Sequence, residues 1–177
     1  MQQSPPASSP SSQDFRGSRW QVDADIARAR TLPPEAFLDD WVQRAELRTV
    51  FRESWLLADP VVGDQLEGPG AYAPTETAGS PVYFHRDVGG TLRVFPNVCT
   101  HAWYPLVTEA GSGKALTCGQ HGRRFDLRGR ALSQMGFDAS CDFPCDEDHL
   151  PSYPIHQVGP LSFVGLGDET DAEWEQF

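Results

Sequence analysis

The 177-residue sequence has only five histidines, four cysteines and two methionines. It contains no apolar run of about 18 residues or more, so it offers no segment that reads as a membrane-spanning helix. Positive charge is also scarce. Fourteen Lys and Arg stand against 25 Asp and Glu, for a net charge of −11. Such a surface repels phosphate backbones, so no nucleic-acid partner is expected. The acidity suits solubility, with steering toward a basic partner protein as the sharper alternative, and charge alone does not separate the two. The opening MQQSPPASSPSSQD has neither a basic start nor an apolar stretch, so it does not read as a signal peptide, and a cytoplasmic location is expected. Four cysteines in a chain of this length do not make a small secreted disulfide scaffold.

Length and texture suggest one ordinary domain with irregular ends. Residues 1–31 read as a disordered or extended segment rich in Ser, Pro and Gln, 32–166 as the folded domain, and 167–177 as an acidic tail or the start of a linker. Pro33 and Pro34 stiffen the entry to one amphipathic helix beginning near Trp41, capped by Asp39 or Asp40 and ending near Ser54. Beyond Asp59-Pro60 the pattern becomes β. Short strands are predicted over 70–75, 81–86, 92–98, 115–118, 124–126, 131–133, 153–158 and 161–166, with a hairpin at Asp87-Val88-Gly89-Gly90. Many short strands at close spacing predict an all-β fold, an antiparallel sandwich or small barrel with an N-terminal helix. His85, in an alternating strand, is expected at the surface or in the hairpin.

The chemistry concentrates in NVCTHAWYPL, then a gap of 16 residues after His101, then CGQHGRRFDLRGRA. Reduced to donors, this is C-x-H followed by C-x-x-H: Cys99, His101, Cys118 and His121. Thiolates suit iron in a sulfide cluster, and imidazoles serve several metals. In a Rieske centre one iron keeps two Cys ligands and the other takes two His. Two similar loops, each offering one Cys and one His, can enclose such a 2Fe–2S cluster. Gly119 and Gly122 let the second loop turn tightly. The competing reading is a structural zinc site. Zinc knuckles usually space ligands as C-x2–4-C and H-x3–5-H, whereas each pair here mixes Cys with His and one gap is a single residue.

At these residues the sequence resembles the Rieske domain of the Rieske non-haem iron, ring-hydroxylating, oxygenases. The resemblance extends to LPPEAF and the following helix, FRESWLLAD, PVYFHRDVGGTLRVFPNVC and GPLSFVGL, about residues 32 to 166. It implies that Cys99 and Cys118 ligate one iron and His101 and His121 the other. It also implies a function in single-electron transfer, with a reductase or ferredoxin as donor, an oxygenase catalytic domain or subunit as acceptor, and a possible oligomer. Two positions depart from the family pattern. The first loop commonly continues C-x-H-R-G, but here Ala102 and Trp103 follow His101. The second commonly reads H-G-W, but here Arg123 follows Gly122. Trp103 is expected to shield the cluster, and Arg123 to raise its potential by placing positive charge nearby.

An oxygenase also needs a mononuclear iron held by two His and a carboxylate. Besides the cluster residues only His85, His149 and His156 remain, with no close His pair followed by an acid. No catalytic residues for oxygenation are therefore expected within 1–177. Two alternatives stay open: an N-terminal piece of a complete oxygenase α subunit, or a stand-alone Rieske ferredoxin or redox-inactive binding module. Cys141, Cys145 and His149 invite a second-metal reading, which Pro144 opposes by breaking the helix needed to align them.

Overall fold

The computed structural model describes residues 23–58, 65–137, 142–167 and 174. Residues 1–22 of the expected disordered or extended segment, Cys141 and most of the acidic tail lie outside the described residues. Two compact units emerge, residues 1–52 and 53–177.

The first unit carries helix α1 (Glu35–Leu38) and helix α2 (Asp40–Arg48). Asp39 takes the N-cap position of α2 with an extended backbone, and its carbonyl accepts the Val42 N–H at 2.9 Å. Its side chain makes no cap bond and instead accepts the Trp41 indole N–H at 3.1 Å. The helix stops six residues before the predicted end, at Arg48 rather than Ser54. The Thr49 hydroxyl donates to the Ala45 carbonyl at 2.9 Å, and the Phe51 N–H reaches back to Glu46 at 3.0 Å. A β-branched Thr-Val pair and a hydroxyl competing for the helix carbonyls end it there.

The second unit holds three antiparallel sheets. Strands β1 (Trp55–Leu57), β10 (Leu161–Gly165) and β9 (Ile155–Val158) form the first. The second runs β4 (Leu92–Pro96), β3 (Ser80–Arg86), β2 (Ala71–Thr77) and β5 (Gly111–Ser112). The third is β6 (Ala115–Thr117), β7 (Arg124–Asp126) and β8 (Ala131–Ser133). The predicted all-β class is therefore found, with the 87–90 hairpin in place. Asp87 Oδ1 accepts the N–H groups of Gly89 and Thr91 at 2.9 and 3.0 Å, which closes that turn.

The four-stranded sheet is buried on both faces. Ala71, Ala73, Val82, Phe84 and Val94 point to one core, shared with Val164 and Leu166. Tyr83 and Phe95 point to the other, shared with Leu116, Phe125, Ala131 and both Cys99 and Cys118. His85 lies one residue pair beyond Tyr83 and is 1% exposed, so the surface placement expected for it is wrong. Alternation along β3 separates two cores rather than core from solvent. Gly129 locks the second core's lower edge. At φ 80°, a Cβ there would stand 2.7 Å from the Phe95 ring and 3.0 Å from the Leu150 carbonyl. No helix among the described residues is long and apolar enough to cross a membrane.

Candidate metal centre

Two loops present the four donors, and both follow one backbone plan. In the first, the Cys99 N–H donates to the Tyr104 carbonyl at 2.8 Å and the Trp103 N–H to the Cys99 carbonyl at 2.9 Å. In the second, the Cys118 N–H donates to the Arg123 carbonyl at 2.8 Å and the Gly122 N–H to the Cys118 carbonyl at 3.1 Å. Each cysteine thus closes a ring on the fifth residue after it. The fourth residue is left-handed in both loops, with φ 58° at Trp103 and 71° at Gly122. Glycine adopts this freely, whereas Trp103 bears a Cβ strain of roughly 1–2 kcal/mol. The histidine stands two residues after the cysteine in the first ring and three after it in the second.

Buried Asn97 fastens the base of the first loop. Its Oδ1 accepts the N–H groups of Leu106 and Val107 at 3.1 and 2.9 Å, and its Nδ2 donates to the Val107 carbonyl at 2.7 Å. This clamp makes a wide loop from a strand that ends at Pro96, two residues short of the predicted Val98.

The rings turn the thiols inward and the imidazoles outward. Cys99 and Cys118 are 1% and 3% exposed, while His101 is half-buried and His121 exposed. Both thiols are free, and they lie within hydrogen-bonding reach of each other. Burial, and then the neighbouring Cys118, push the Cys99 thiol up from its ordinary range. Such thiols are poor nucleophiles and become thiolates when a cation is there to hold them. The imidazole centroids are 4.8 Å apart with planes at 71°. Among the described residues, no three His, Cys, Asp or Glu side chains are grouped as one metal ion would require. A buried thiol pair beside an imidazole pair suits a two-iron cluster, with sulfur donors at one iron and nitrogen donors at the other.

Arg123, expected near the cluster, is 2% exposed and ties three segments together. Its guanidinium donates to Gln134 Oε1 through Nε, and through one terminal nitrogen to Thr100 Oγ1 at 2.9 Å and to Asp148 Oδ1 at 2.8 Å. Its Cζ stands 5.0 Å from the centre of the Phe143 ring. Burial opposes ionisation of Asp148, but the Cys145 N–H and thiol and then Arg123 outweigh it and hold the carboxyl below its usual range. Desolvation, followed by Arg123 and His121, pushes the His101 imidazole below the ordinary histidine value. Trp103 is 81% exposed, its ring in solvent rather than packed across the loops.

The sequence reading did not single out Asn97, Thr100, Gln134 or Asp148. Asn97 and Thr100 lie within NVCTHAWYPL but are not donors in its C-x-H pattern, while Asp148 is one acid in the run DED and Gln134 follows an ordinary short strand. The second-metal grouping does not assemble among the described residues. The Cys145 thiol donates to Asp148 Oδ2 at 3.3 Å, and His149 Nδ1 accepts the Ala131 N–H at 3.0 Å.

The family model of the Rieske [2Fe-2S] domain matches residues 59–154. The chlorobenzene dioxygenase α subunit of Cupriavidus sp. (strain PS12) is 34% identical over 119 residues, which is 67% of this chain and 26% of that subunit. The biphenyl 2,3-dioxygenase α subunit of Rhodococcus jostii (strain RHA1) is 30% identical over 154 residues, 82% of this chain and 30% of that subunit. The chain thus spans between a quarter and a third of these relatives' length. In fold, it superposes on the quaternary ammonium Rieske monooxygenase CntA in complex with L-carnitine. The TM-score is 0.72 at 22% identity, over 84% of this chain and 43% of that one.

Proposed function

The chain belongs to the Rieske [2Fe-2S] domain family, and from that premise we propose that Cys99 and Cys118 hold one iron of its 2Fe–2S cluster while His101 and His121 hold the other. The observation that carries this reading is the pairing itself, two buried free thiols behind two outward imidazoles on matched loops. The bound cluster supplies reversible uptake of one electron. Two thiolates and two neutral imidazoles balance two ferric ions and two sulfides to zero net charge, so an electron enters more readily than at an all-thiolate cluster.

The chain's own residues set the conditions for that exchange. The inner core, with Tyr83, Phe95, Leu116 and Phe125, keeps water from the thiol side. The imidazole edge is where an electron enters and leaves, because it alone of the donor set reaches the surface. Arg123 acts on the potential as half of an ion pair. Asp148 at 2.8 Å cancels much of its field, so the net effect is that of a dipole and smaller than that of a lone cation.

The proposed physiological role is that of the electron-transfer domain of an aromatic-ring-hydroxylating oxygenase. A reductase or ferredoxin would supply electrons, and a mononuclear iron centre would receive them. We assign it to a cytoplasmic, oligomeric oxygenase, with residues 32–166 as the Rieske domain and 167–177 leading into a linker. The test is composition and spectrum. Purified protein should hold two irons and two acid-labile sulfides per chain, and Cys99→Ser or Cys118→Ser should abolish the reduced-cluster EPR signal. One zinc and no sulfide in the wild type would refute the assignment.

A further inference from the structure

An antiparallel sheet with one face on a core commonly turns polar residues to water on the other. The first sheet does not. Its inner face sets Leu56, Ile155 and Val164 against the first core. Its outer face, read from the strand register, carries Trp55 and Leu57 on β1, Leu161 and Phe163 on β10, and His156 and Val158 on β9. None of these six is an acid, a lysine or an arginine. One end of the face is covered by the chain's own tail. The Trp174 indole stacks on the His156 ring, with centroids 4.5 Å apart and planes at 8°, and it meets Trp55 and Phe163 at 5.0 and 5.6 Å. Trp55 in turn stands edge-on to His156 at 4.7 Å. Rings in these arrangements attract one another beyond the area they bury. The tail GDETDAEWEQF is otherwise acidic, so an indole within it gains little except from a seat of this kind.

We propose that the outer face of the first sheet is the docking surface for the chain's own C-terminal segment, 167–177, with Trp174 as the latch that fastens it. This does not depend on which residues hold the cluster. The segment is a docked strap rather than a free tether, and its position has an electrostatic consequence. The first core lies on one side of the four-stranded sheet, and the second, with Cys99 and Cys118, lies on the other. Packed sheets stand about 10 Å apart, so two layers put the seat roughly 20 Å from the donor side. That exceeds the screening length of about 8 Å in physiological salt. The strap therefore holds Asp168, Glu169, Asp171, Glu173 and Glu175 where their charge does not reach the imidazole edge. The competing occupant is a second copy of the chain, seated on Leu57, Val158 and Leu161, which are about half exposed.

The test is cleavage of the full 177-residue chain by a glutamate-specific protease, followed at Glu173 and Glu175 by mass spectrometry. A synthetic peptide of residues 167–177 gives the rate for an undocked tail. Cleavage tracks the open fraction of the strap, so the wild type should be cut at least about tenfold more slowly than the peptide. His156→Ala removes the stacked ring and leaves the tail's sequence intact. Its strap should be cut within about twofold of the peptide's rate. If that variant does not fold, Trp174→Ala decides, because uncovering Trp55 and Phe163 should raise the binding of an anilinonaphthalene dye. A wild type cut at the peptide's rate would overturn the proposal. So would a folded His156→Ala as protected as wild type, or a Trp174→Ala with unchanged dye binding. A wild-type dimer that Leu161→Asp dissociates, with the strap cut at the peptide's rate, would give the face to a second copy instead.

Discussion

Replacing His85 by Leu should stabilise the protein, and more so in acid. His85 is 1% exposed, and among the described residues neither of its ring nitrogens has a hydrogen-bond partner. A buried unsatisfied polar group costs about 1–3 kcal/mol, whereas an apolar side chain of similar size removes that cost and keeps the packing. At neutral pH the expected gain is about 2 kcal/mol on that scale, or roughly 6–10 °C in apparent melting temperature for a unit of this size. Acid adds a second effect. Burial pushes the imidazole below its ordinary value of 6.5, with Asp87 and Asp126 opposing and Arg93 reinforcing. The unfolded chain therefore takes up a proton at His85 at a higher pH than the folded chain does. Stability is intact above pH 6.5 and falls as the pH drops through it. The assay is the apparent melting temperature of cluster-loaded wild type and His85→Leu at pH 7.5 and 5.5, at one scan rate. The gap should be positive and should widen in acid. A variant less stable at both pH values, with an unchanged gap, would refute the reasoning.

Asn97→Ala should be among the most damaging polar substitutions near the site. It orphans the N–H groups of Leu106 and Val107 and the Val107 carbonyl, so a loss of about 2–4 kcal/mol is expected, read as a lower melting temperature and faster cluster loss to a chelator. Trp103→Gly should be nearly neutral. Relief of left-handed strain, roughly 1–2 kcal/mol, offsets the loss of the small area that an 81% exposed ring buries. Iron content and melting temperature should stay near wild type, and a fall of 10 °C would show that the ring packs on something essential.

The chemistry was legible in the sequence because ligand spacing is local. The turn Asp87 closes was legible too, since Asp and Gly write their turns within five residues. What stayed hidden depended on contacts far apart along the chain. His85 looked like the outward half of an alternating strand, and only the third sheet, contributed by residues 115–133, turns that outward face into a second core. Gln134 acquires meaning from Arg123, eleven positions earlier, and Asp148 from the same residue. The end of α2 was misplaced for a different reason: aromatic and aliphatic spacing continued past Arg48, while the Thr49 hydroxyl had already diverted a helix carbonyl.

The two matched rings separate the scaffold from its cargo. Each loop is closed by its own backbone, from cysteine to the fifth residue and back from the fourth, and no histidine takes part in that closure. The second donor of each loop is therefore a removable fitting on a frame that stands without it. His121→Cys would change the electronic character of whatever the pocket holds while asking no peptide to rotate. A frame of this kind lends itself to redesign, because potential can be reset by exchanging donors one at a time, with the architecture left as a constant.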